Sequence, residues 1–160
     1  MMNYRCLPLA LLLLVGCGHT EVRPSDAPTM GPNEGLVAFV VNTDRAVVAV
    51  HYVSEDSKNQ FNLVSADPGT SMQVHRVPAD RYCIRAVTWP VGSFRSDGRG
   101  RGPILCMDVK PGVLNYPGHL HMADGENTLA RSKFRARYVP EDEDFQGRLR
   151  EEYPELVPLL

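Results

Sequence analysis

The sequence predicts an all-β protein, an antiparallel β-sandwich of about seven or eight strands with a short helix at the C terminus. From Leu36 onward, runs rich in valine, alanine and aromatic residues are broken about every eight to twelve residues by turn formers, which is the spacing of strands in a sandwich or barrel. Residues 140–160 differ, because their acids and arginines follow the order typical of a helix.

Two segments give the clearest strands, "LVAFVVN" at 36–42 and "AVVAVHYVS" at 46–54. The turn-like "TDR" between them predicts a hairpin. Both segments are almost continuously apolar, so we expect them at the centre of a sheet rather than at an edge. Further strands are predicted at "FNLVSA", "TSMQVHRV", "RYCIRAVTW", "PILCMDVK", "VLNYPGHLHMA" and "TLARSKFRARYV".

The C-terminal tail, residues 140–160, has the charge order of a short helix. Pro140 stands at its start, acids follow and arginines come near the end, which suits the helix dipole and the preference for proline in the first turn. Phe145 and Leu149 lie four residues apart and share one face of the helix. We expect this face to dock on the sandwich and Pro154 to end the helix.

The first sixteen residues have the composition of a secretion signal. Arg5 is their single charged residue, and a mostly apolar stretch from Leu7 to Val15 follows it. This stretch is about half of the roughly twenty residues that a membrane-spanning helix needs. The next motif, "LVGC" at 14–17, resembles the lipobox of bacterial lipoproteins. The resemblance implies that residues 1–16 are removed and that Cys17 becomes the lipid-modified N terminus.

In that family, the cysteine carries a diacylglycerol and usually an acyl chain such as palmitate. Two or more chains anchor a protein stably in a membrane. Gly18 follows Cys17, whereas an aspartate at this position tends to retain such proteins at the inner membrane. The resemblance therefore implies a lipid anchor on the periplasmic face of the outer membrane, with membrane lipid as a partner.

Composition divides the remaining chain into a tether and a domain. Residues 17–34 are rich in proline and glycine and poor in large apolar side chains, so we expect a flexible tether that begins at the acylated Cys17. Residues 35–139 form the predicted sandwich. The formal net charge of −2 argues against nucleic acid as a partner, because such proteins carry a strongly basic surface.

A second resemblance covers roughly residues 35–140. The chain resembles uncharacterised bacterial lipoproteins with a transthyretin-like or carboxypeptidase-regulatory-like β-sandwich. The resemblance is carried by a proline-glycine turn and by a strand with three characteristic residues at alternate positions: Pro111-Gly112, Tyr116, Gly118 and Leu120. It implies the fold and no reaction, so no catalytic residue carries over. Pro117 departs from the pattern and predicts an edge strand or a bulge.

Two cysteines, Cys83 and Cys106, remain once Cys6 is lost with the signal and Cys17 is acylated. If their strands form a hairpin closed by residues 90–102, the two cysteines face each other across it. We expect a disulfide between them, because disulfides form and persist in exported proteins. The alternative is a pair of buried free thiols.

His119 and His121 lie two residues apart, so on a strand both point to one face, as metal ligands would. Metal sites usually need three or four ligands, and the sequence does not place a third, such as His51 or His75. The alternative interpretation is that the two histidines face solvent and bind no metal. The sequence therefore assigns no metal and no cofactor, and the two histidines are candidate contacts for a ligand or partner.

A glycine-rich loop at 92–102 carries Arg95, Arg99 and Arg101. Exposed arginines bind phosphates and carboxylates through paired hydrogen bonds, and a lipid head group or peptidoglycan would be such a ligand. The alternative is a solvated connection without a ligand.

No local enzyme motif is present in the sequence: G-x-S-x-G, H-E-x-x-H, a phosphate-binding loop and S-x-x-K are all missing. We therefore assign no catalytic residue and expect a non-enzymatic binding or interaction module in the periplasm, with an envelope protein or peptidoglycan as its partner. The alternative is a module that binds a small ligand or a metal through His119, His121 and the arginine loop, and an envelope hydrolase is a third alternative, because catalytic residues need not be close in sequence.

Overall fold

The computed structural model describes residues 20–90, 92–95, 105–124 and 134–160. Within these residues, eleven strands form two sheets, and a helix, α1 (Asp142–Glu152), and a 3₁₀ helix (Pro154–Leu159) follow. The strands are β1 Thr20–Val22, β2 Glu34–Thr43, β3 Val47–Ser54, β4 Gln60–Ala66, β5 Gly69–Pro78, β6 Arg81–Trp89, β7 Gly92–Arg95, β8 Cys106–Asp108, β9 Leu114–Asn115, β10 His119–Asp124 and β11 Phe134–Val139. The predicted all-β sandwich with a short C-terminal helix is confirmed, with eleven strands among the described residues instead of seven or eight.

The strands divide between two sheets. The first sheet has the order β1-β5-β2-β10-β11, and β9 also pairs with β2. The second sheet has the order β4-β3-β6-β7, and β8 pairs with β6. The strands of this sandwich are antiparallel except that β9 and β10 run parallel to β2. The segment that carries the two candidate histidines therefore lies along the most central strand of the first sheet.

The predicted hairpin between the first two long strands is wrong. β2 pairs with β5, β9 and β10 in the first sheet, whereas β3 pairs with β4 and β6 in the second. The short connection between β2 and β3 crosses from one sheet to the other. Both strands are central, as expected, and β2 is buried on both faces because the second sheet covers one face and the C-terminal segment covers the other.

The two sheets enclose a core rich in aromatic side chains. The ring centroid of Phe39, from the first sheet, lies 5.2 Å from that of Tyr52 and 5.8 Å from that of Phe61, both in the second sheet. Tyr52 and Phe61 stack at 4.9 Å, and Tyr82 meets Phe61 edge-on at 5.0 Å. The hydroxyls of Tyr52 and Tyr138 are hydrogen-bonded at 2.8 Å. This bond links the sheets and satisfies two polar groups that would otherwise be costly to bury.

The helix α1 packs on the outer face of the first sheet, as predicted. Its buried residues, Phe145 and Leu149, belong to one apolar cluster with side chains of β2 such as Leu36 and Val40. α1 ends at Glu152, and Pro154 begins the 3₁₀ helix, so the predicted stop is confirmed. Among the described residues, no helix is both long and apolar enough to cross a membrane.

Part of the predicted tether is folded onto the domain. Thr20–Val22 form β1, which pairs antiparallel with β5, and the Val22 side chain is buried. Farther along, the Arg76 guanidinium donates a hydrogen bond to the carbonyl oxygen of Thr29 at 2.8 Å. Strand pairing and these contacts hold the segment against the sheet, so the expectation of a flexible tether is wrong for Thr20–Val22. Cys17 lies outside the described residues.

The predicted disulfide is present. Cys83 of β6 stands directly opposite Cys106 of β8, and the two sulfurs are bonded at 2.06 Å. The other half of β6 pairs with β7, so the loop expected at 90–102 contains a further short strand. Because both cysteines belong to the second sheet, the disulfide lies in a different sheet from the histidines.

Candidate metal centre

The strand that carries the histidines is interrupted by a bulge. β9 and β10 both run along β2, but residues 116–118 stand between them opposite only two residues of β2. One extra residue in a strand is a β-bulge, and it exchanges the two faces because side chains alternate. His119 and His121 therefore lie on the outer face, which α1 covers, while Leu120 and Met122 join the core between the sheets.

The residues of the bulge explain its geometry. Pro117 has no backbone N–H to donate and so interrupts the hydrogen-bond ladder, which confirms the prediction made for this position. Gly118 has φ of +108°, a conformation that glycine adopts readily and other residues rarely do. A Cβ on Gly118 would lie 3.0 Å from the carbonyl oxygen of Val139. Pro117 and Gly118 thus bring β10 close to the end of β11.

A third donor comes from the start of the C-terminal helix. β11 pairs with β10 and puts Val139 opposite His119. Two residues later, Glu141 occupies the N-cap position of α1, yet its side chain makes no capping hydrogen bond. Serine, threonine, aspartate and asparagine are the residues that usually cap helices. The Glu141 carboxylate turns instead to the two histidines.

The three side chains form a compact donor set, which we call the His-His-Glu cluster (His119, His121 and Glu141). Oε2 of Glu141 lies 3.1 Å from Nδ1 of His119, and Oε1 lies 3.0 Å from Nε2 of His121. One ligand atom from each of the three residues lies within 4.8 Å of the other two. A single carboxylate therefore stands between the two imidazole rings.

Asp144 lies on the other side of the His119 ring. Its Oδ2 is 3.6 Å from Nε2 of His119, a buried nitrogen that makes no hydrogen bond to any residue in the described part of the chain. The same carboxylate accepts a hydrogen bond from Nε of Arg148 at 2.9 Å. The two ring nitrogens of His119 thus face two different carboxylates, which come from the N-cap and the first turn of α1.

Burial distinguishes the two histidines. The His119 side chain is 2% exposed, whereas the side chains of His121 and Glu141 are 28% and 39% exposed. The interpretation of a solvent-facing pair is therefore wrong for His119. Burial lowers the pKa of His119, against the opposing effect of the carboxylates of Glu141 and Asp144. A lowered pKa favours the neutral imidazole, which is the form that binds metals.

Two aromatic rings pack beside the cluster. Tyr116 and Phe145 stack with centroids 3.8 Å apart and 4° between their planes, and Tyr116 meets the ring of His119 edge-on at 5.9 Å. Burial, reinforced by the nearby carboxylates of the helix start, raises the pKa of Tyr116 to about 12. The phenol is therefore neutral at ordinary pH, and it adds no charge to the site.

The other histidines named as possible third ligands lie elsewhere. His51, in the second sheet, is within hydrogen-bonding distance of Asn62 (2.7 Å) and Thr88 (3.0 Å). His75 is buried on the inner face of the first sheet, with its ring centroid 6.0 Å from that of Phe39. Neither histidine belongs to the cluster that His119 and His121 form.

The arginine loop at 92–102 is described only in part. Arg95 is the last residue of β7 and stands opposite Ala86 of β6. Arg99 and Arg101 lie outside the described residues. A role for this loop in binding phosphate or carboxylate groups therefore stays a prediction.

Sequence reasoning missed Glu141 and Asp144. The acids after Pro140 were interpreted only as charges that favour the start of a helix, which they also are. The signal that identifies them as site residues is the pairing of β10 with β11, because it sets the start of α1 beside His119. That pairing depends on the number of residues that separate β10 from β11 along the chain.

The chain matches no protein-family model, no curated protein and no solved structure. The site is therefore defined by its own geometry, as two histidines of a bulged strand and a carboxylate from a helix N-cap. The resemblances to bacterial lipoproteins and to transthyretin-like sandwiches stay predictions from the sequence motifs.

Proposed function

We propose that the folded domain is a metal-binding module that holds a divalent transition-metal ion of the zinc type. The carrying observation is the His-His-Glu cluster, whose donor atoms lie within 4.8 Å of one another. Zinc bonds of about 2.0–2.2 Å at tetrahedral angles place neighbouring donor atoms about 3.3–3.5 Å apart. The distances of 3.0 and 3.1 Å from Glu141 to the two rings are close to this spacing, so small side-chain movements would complete the coordination.

The donor chemistry selects the kind of ion. Two imidazole nitrogens with one carboxylate oxygen suit zinc, cobalt, nickel or copper, whereas calcium and magnesium prefer oxygen ligands. His119 would bind through Nδ1, which faces Glu141, and Nε2 would face Asp144. A carboxylate beside the free nitrogen of a ligand histidine is typical of zinc sites, because it orients the ring and raises its basicity.

Isothermal titration calorimetry of the full-length chain, purified in detergent without a histidine tag, tests this function. We expect one zinc ion per chain. His119→Ala and Glu141→Gln each remove a ligand and should weaken binding by about 100-fold or more, since even indirect partners contribute about 10–100-fold.

Two matched variants serve as controls for the titration. His51→Ala removes a histidine of the other sheet, and Glu143→Gln removes an exposed acid of α1 outside the cluster. Both should keep the wild-type affinity. Wild-type protein that takes up no zinc would contradict the proposal, and the cluster would then be an ion-pair network that joins α1 to the sheet.

We also propose that the chain is a lipoprotein of the bacterial cell envelope, anchored through an acylated Cys17 on the periplasmic face of the outer membrane. The lipobox-like motif "LVGC" at 14–17 supports this. The disulfide between Cys83 and Cys106 fits an oxidising compartment. β1 begins three residues after Cys17, so the anchor would hold the domain within about 10 Å of the modified cysteine.

The anchor has a direct test. Cells that express the wild-type chain are grown with labelled palmitate and their membranes are separated; label should appear in the outer-membrane fraction. Cys17→Ser should be unlabelled and recovered outside that fraction. Wild-type protein without label would contradict the lipoprotein proposal and leave the metal site unaffected.

Within the envelope, the proposed role is binding rather than catalysis, with an envelope protein or peptidoglycan as the partner. In-cell crosslinking of the anchored protein, with Cys17→Ser as the unanchored control, tests this role. A defined envelope component that is crosslinked only to the anchored form is the expected result. Equal recovery with both forms would contradict a role that depends on the membrane.

A further inference from the structure

We propose that the metal ion at the His-His-Glu cluster keeps one exchangeable coordination position on its solvent side, and that this position takes a carboxylate ligand. The proposal rests on the metal-binding function above and names the chemical class that the site accepts. Three features carry it: the number of donors, the side on which the cluster is open, and the balance of charge.

Among the described residues, the cluster offers three metal ligands. Asp144 is not a fourth ligand, because it faces Nε2 of His119 while Glu141 faces Nδ1 of the same ring. The two nitrogens of an imidazole point away from each other, so one ion cannot contact both carboxylates through this ring. A tetrahedral ion with three protein ligands leaves its fourth position to water or to an added ligand.

The cluster is open on one side. His119 is buried, and Tyr116 packs edge-on against its ring. His121 and Glu141 are half-buried and reach solvent. An ion held by the three side chains would therefore be closed on the side of His119 and accessible on the side of His121 and Glu141, where a bound water exchanges.

The balance of charge favours an anion at the open position. Two neutral imidazoles and one carboxylate leave a divalent ion with one uncompensated positive charge. The next carboxylate, that of Asp144, is engaged by Arg148 at 2.9 Å. In a site partly removed from water, this charge interacts more strongly with an anionic ligand than it would in bulk solvent. A carboxylate supplies one negative charge and bonds zinc at about 2.0–2.2 Å, as the carboxylate of Glu141 would.

Cobalt(II) in place of zinc makes the coordination visible in the absorption spectrum. The full-length protein loaded with Co²⁺ is titrated separately with acetate, acetamide and N-acetylglycine. Acetate should change the visible spectrum saturably, and acetamide, which has the same shape without the charge, should leave it unchanged. Glu143→Gln, loaded in the same way, should respond as the wild type does.

The results of this titration distinguish the open carboxylate position from metal binding itself. A response to N-acetylglycine as well as to acetate supports a ligand with the carboxyl end of a peptide, and a response to acetate alone supports a small free acid. A bound Co²⁺ whose spectrum acetate does not change would overturn the open carboxylate position while metal binding stands. Protein that binds no Co²⁺ would overturn both.

Discussion

The two faces of the first sheet differ in what covers them. The inner face packs against the second sheet through an aromatic core in which Phe39, Tyr52 and Phe61 are almost fully buried. The outer face packs against α1 through Phe145 and Leu149, and at the start of this helix imidazoles meet carboxylates. The same sheet is therefore a structural core on one side and the support for the His-His-Glu cluster on the other.

The largest loss of stability is expected at the inner face. Phe39→Ala removes a fully buried ring that contacts Tyr52 and Phe61. Truncation of such a ring lowers the free energy of unfolding by about 3–5 kcal/mol. Urea unfolding of the wild type and the variant measures this loss. A difference below about 0.5 kcal/mol, which is typical of surface positions, would show that the aromatic core does not hold the sheets together.

Removal of the disulfide should cause the next largest loss of stability. Cys83 and Cys106 are separated by 23 residues along the chain, and closing a loop of this length contributes about 3.5 kcal/mol on the chain-entropy model. The double replacement by alanine should lower the free energy of unfolding by about this amount and leave zinc affinity unchanged, because the bond lies in the second sheet. Non-reducing peptide mapping that finds both thiols free in the wild type would remove the basis of this prediction.

A smaller loss of stability is expected for a substitution in the bulge, and this substitution should also weaken zinc binding. Gly118→Ala puts a Cβ at a φ of +108° and 3.0 Å from the Val139 carbonyl oxygen, so stability should fall by about 1–3 kcal/mol. Zinc binding should weaken too, because the bulge sets the face on which His119 lies.

Gly147→Ala is the matched control for the bulge variant. A Cβ on Gly147, inside α1, would meet nothing within 4 Å, and alanine is favoured over glycine in a helix by about 1 kcal/mol. This variant should be more stable than the wild type and bind zinc normally. If Gly118→Ala behaved in the same way, the bulge would not be what positions the histidines.

The smallest expected effect concerns alkaline pH. Burial raises the pKa of Tyr82, in the inner core, to about 12, whereas an unfolded tyrosine ionises near 10. Between these values the unfolded chain has lost the proton and the folded chain has kept it. The free energy of unfolding therefore falls as pH rises.

Tyr82→Phe should make this fall shallower in urea unfolding at a series of alkaline pH values. The variant also loses the hydrogen bond that the Tyr82 hydroxyl donates to the Pro78 carbonyl oxygen at 3.0 Å, which lowers stability already at neutral pH and leaves the slope alone. Identical slopes for the two proteins would show that Tyr82 does not carry the pH dependence.

Local patterns were sufficient for most of the fold. Strand positions followed from apolar runs that turn formers interrupt, and the pairing of Cys83 with Cys106 followed from one hairpin. The partner of β2 could not be predicted in this way, because an apolar strand shows only that both faces are buried. Its actual neighbours, β5 and β10, come from distant parts of the chain, and nothing in the local pattern names them.

Only the two histidines of the cluster could be predicted from the sequence. The two-residue spacing put His119 and His121 on one face, but the third donor depends on the register of β10 and β11. A turn at "DGEN", residues 124–127, would set residue 132 opposite His119, whereas Val139 stands there. This shift of seven positions in the register places Glu141 beside the histidines. A turn motif alone does not predict that register.

Whether a metal joins the C-terminal helix to the histidine strand is best decided by thermal unfolding of the full-length protein with and without zinc. Zinc at about 100 times its dissociation constant should stabilise the wild type by about 2.7 kcal/mol. Zinc should stabilise Glu143→Gln as much as the wild type and Glu141→Gln far less, because Glu141 is a member of the cluster and Glu143 is not. No stabilisation of the wild type, or the same stabilisation of all three proteins, would show that the cluster holds no metal.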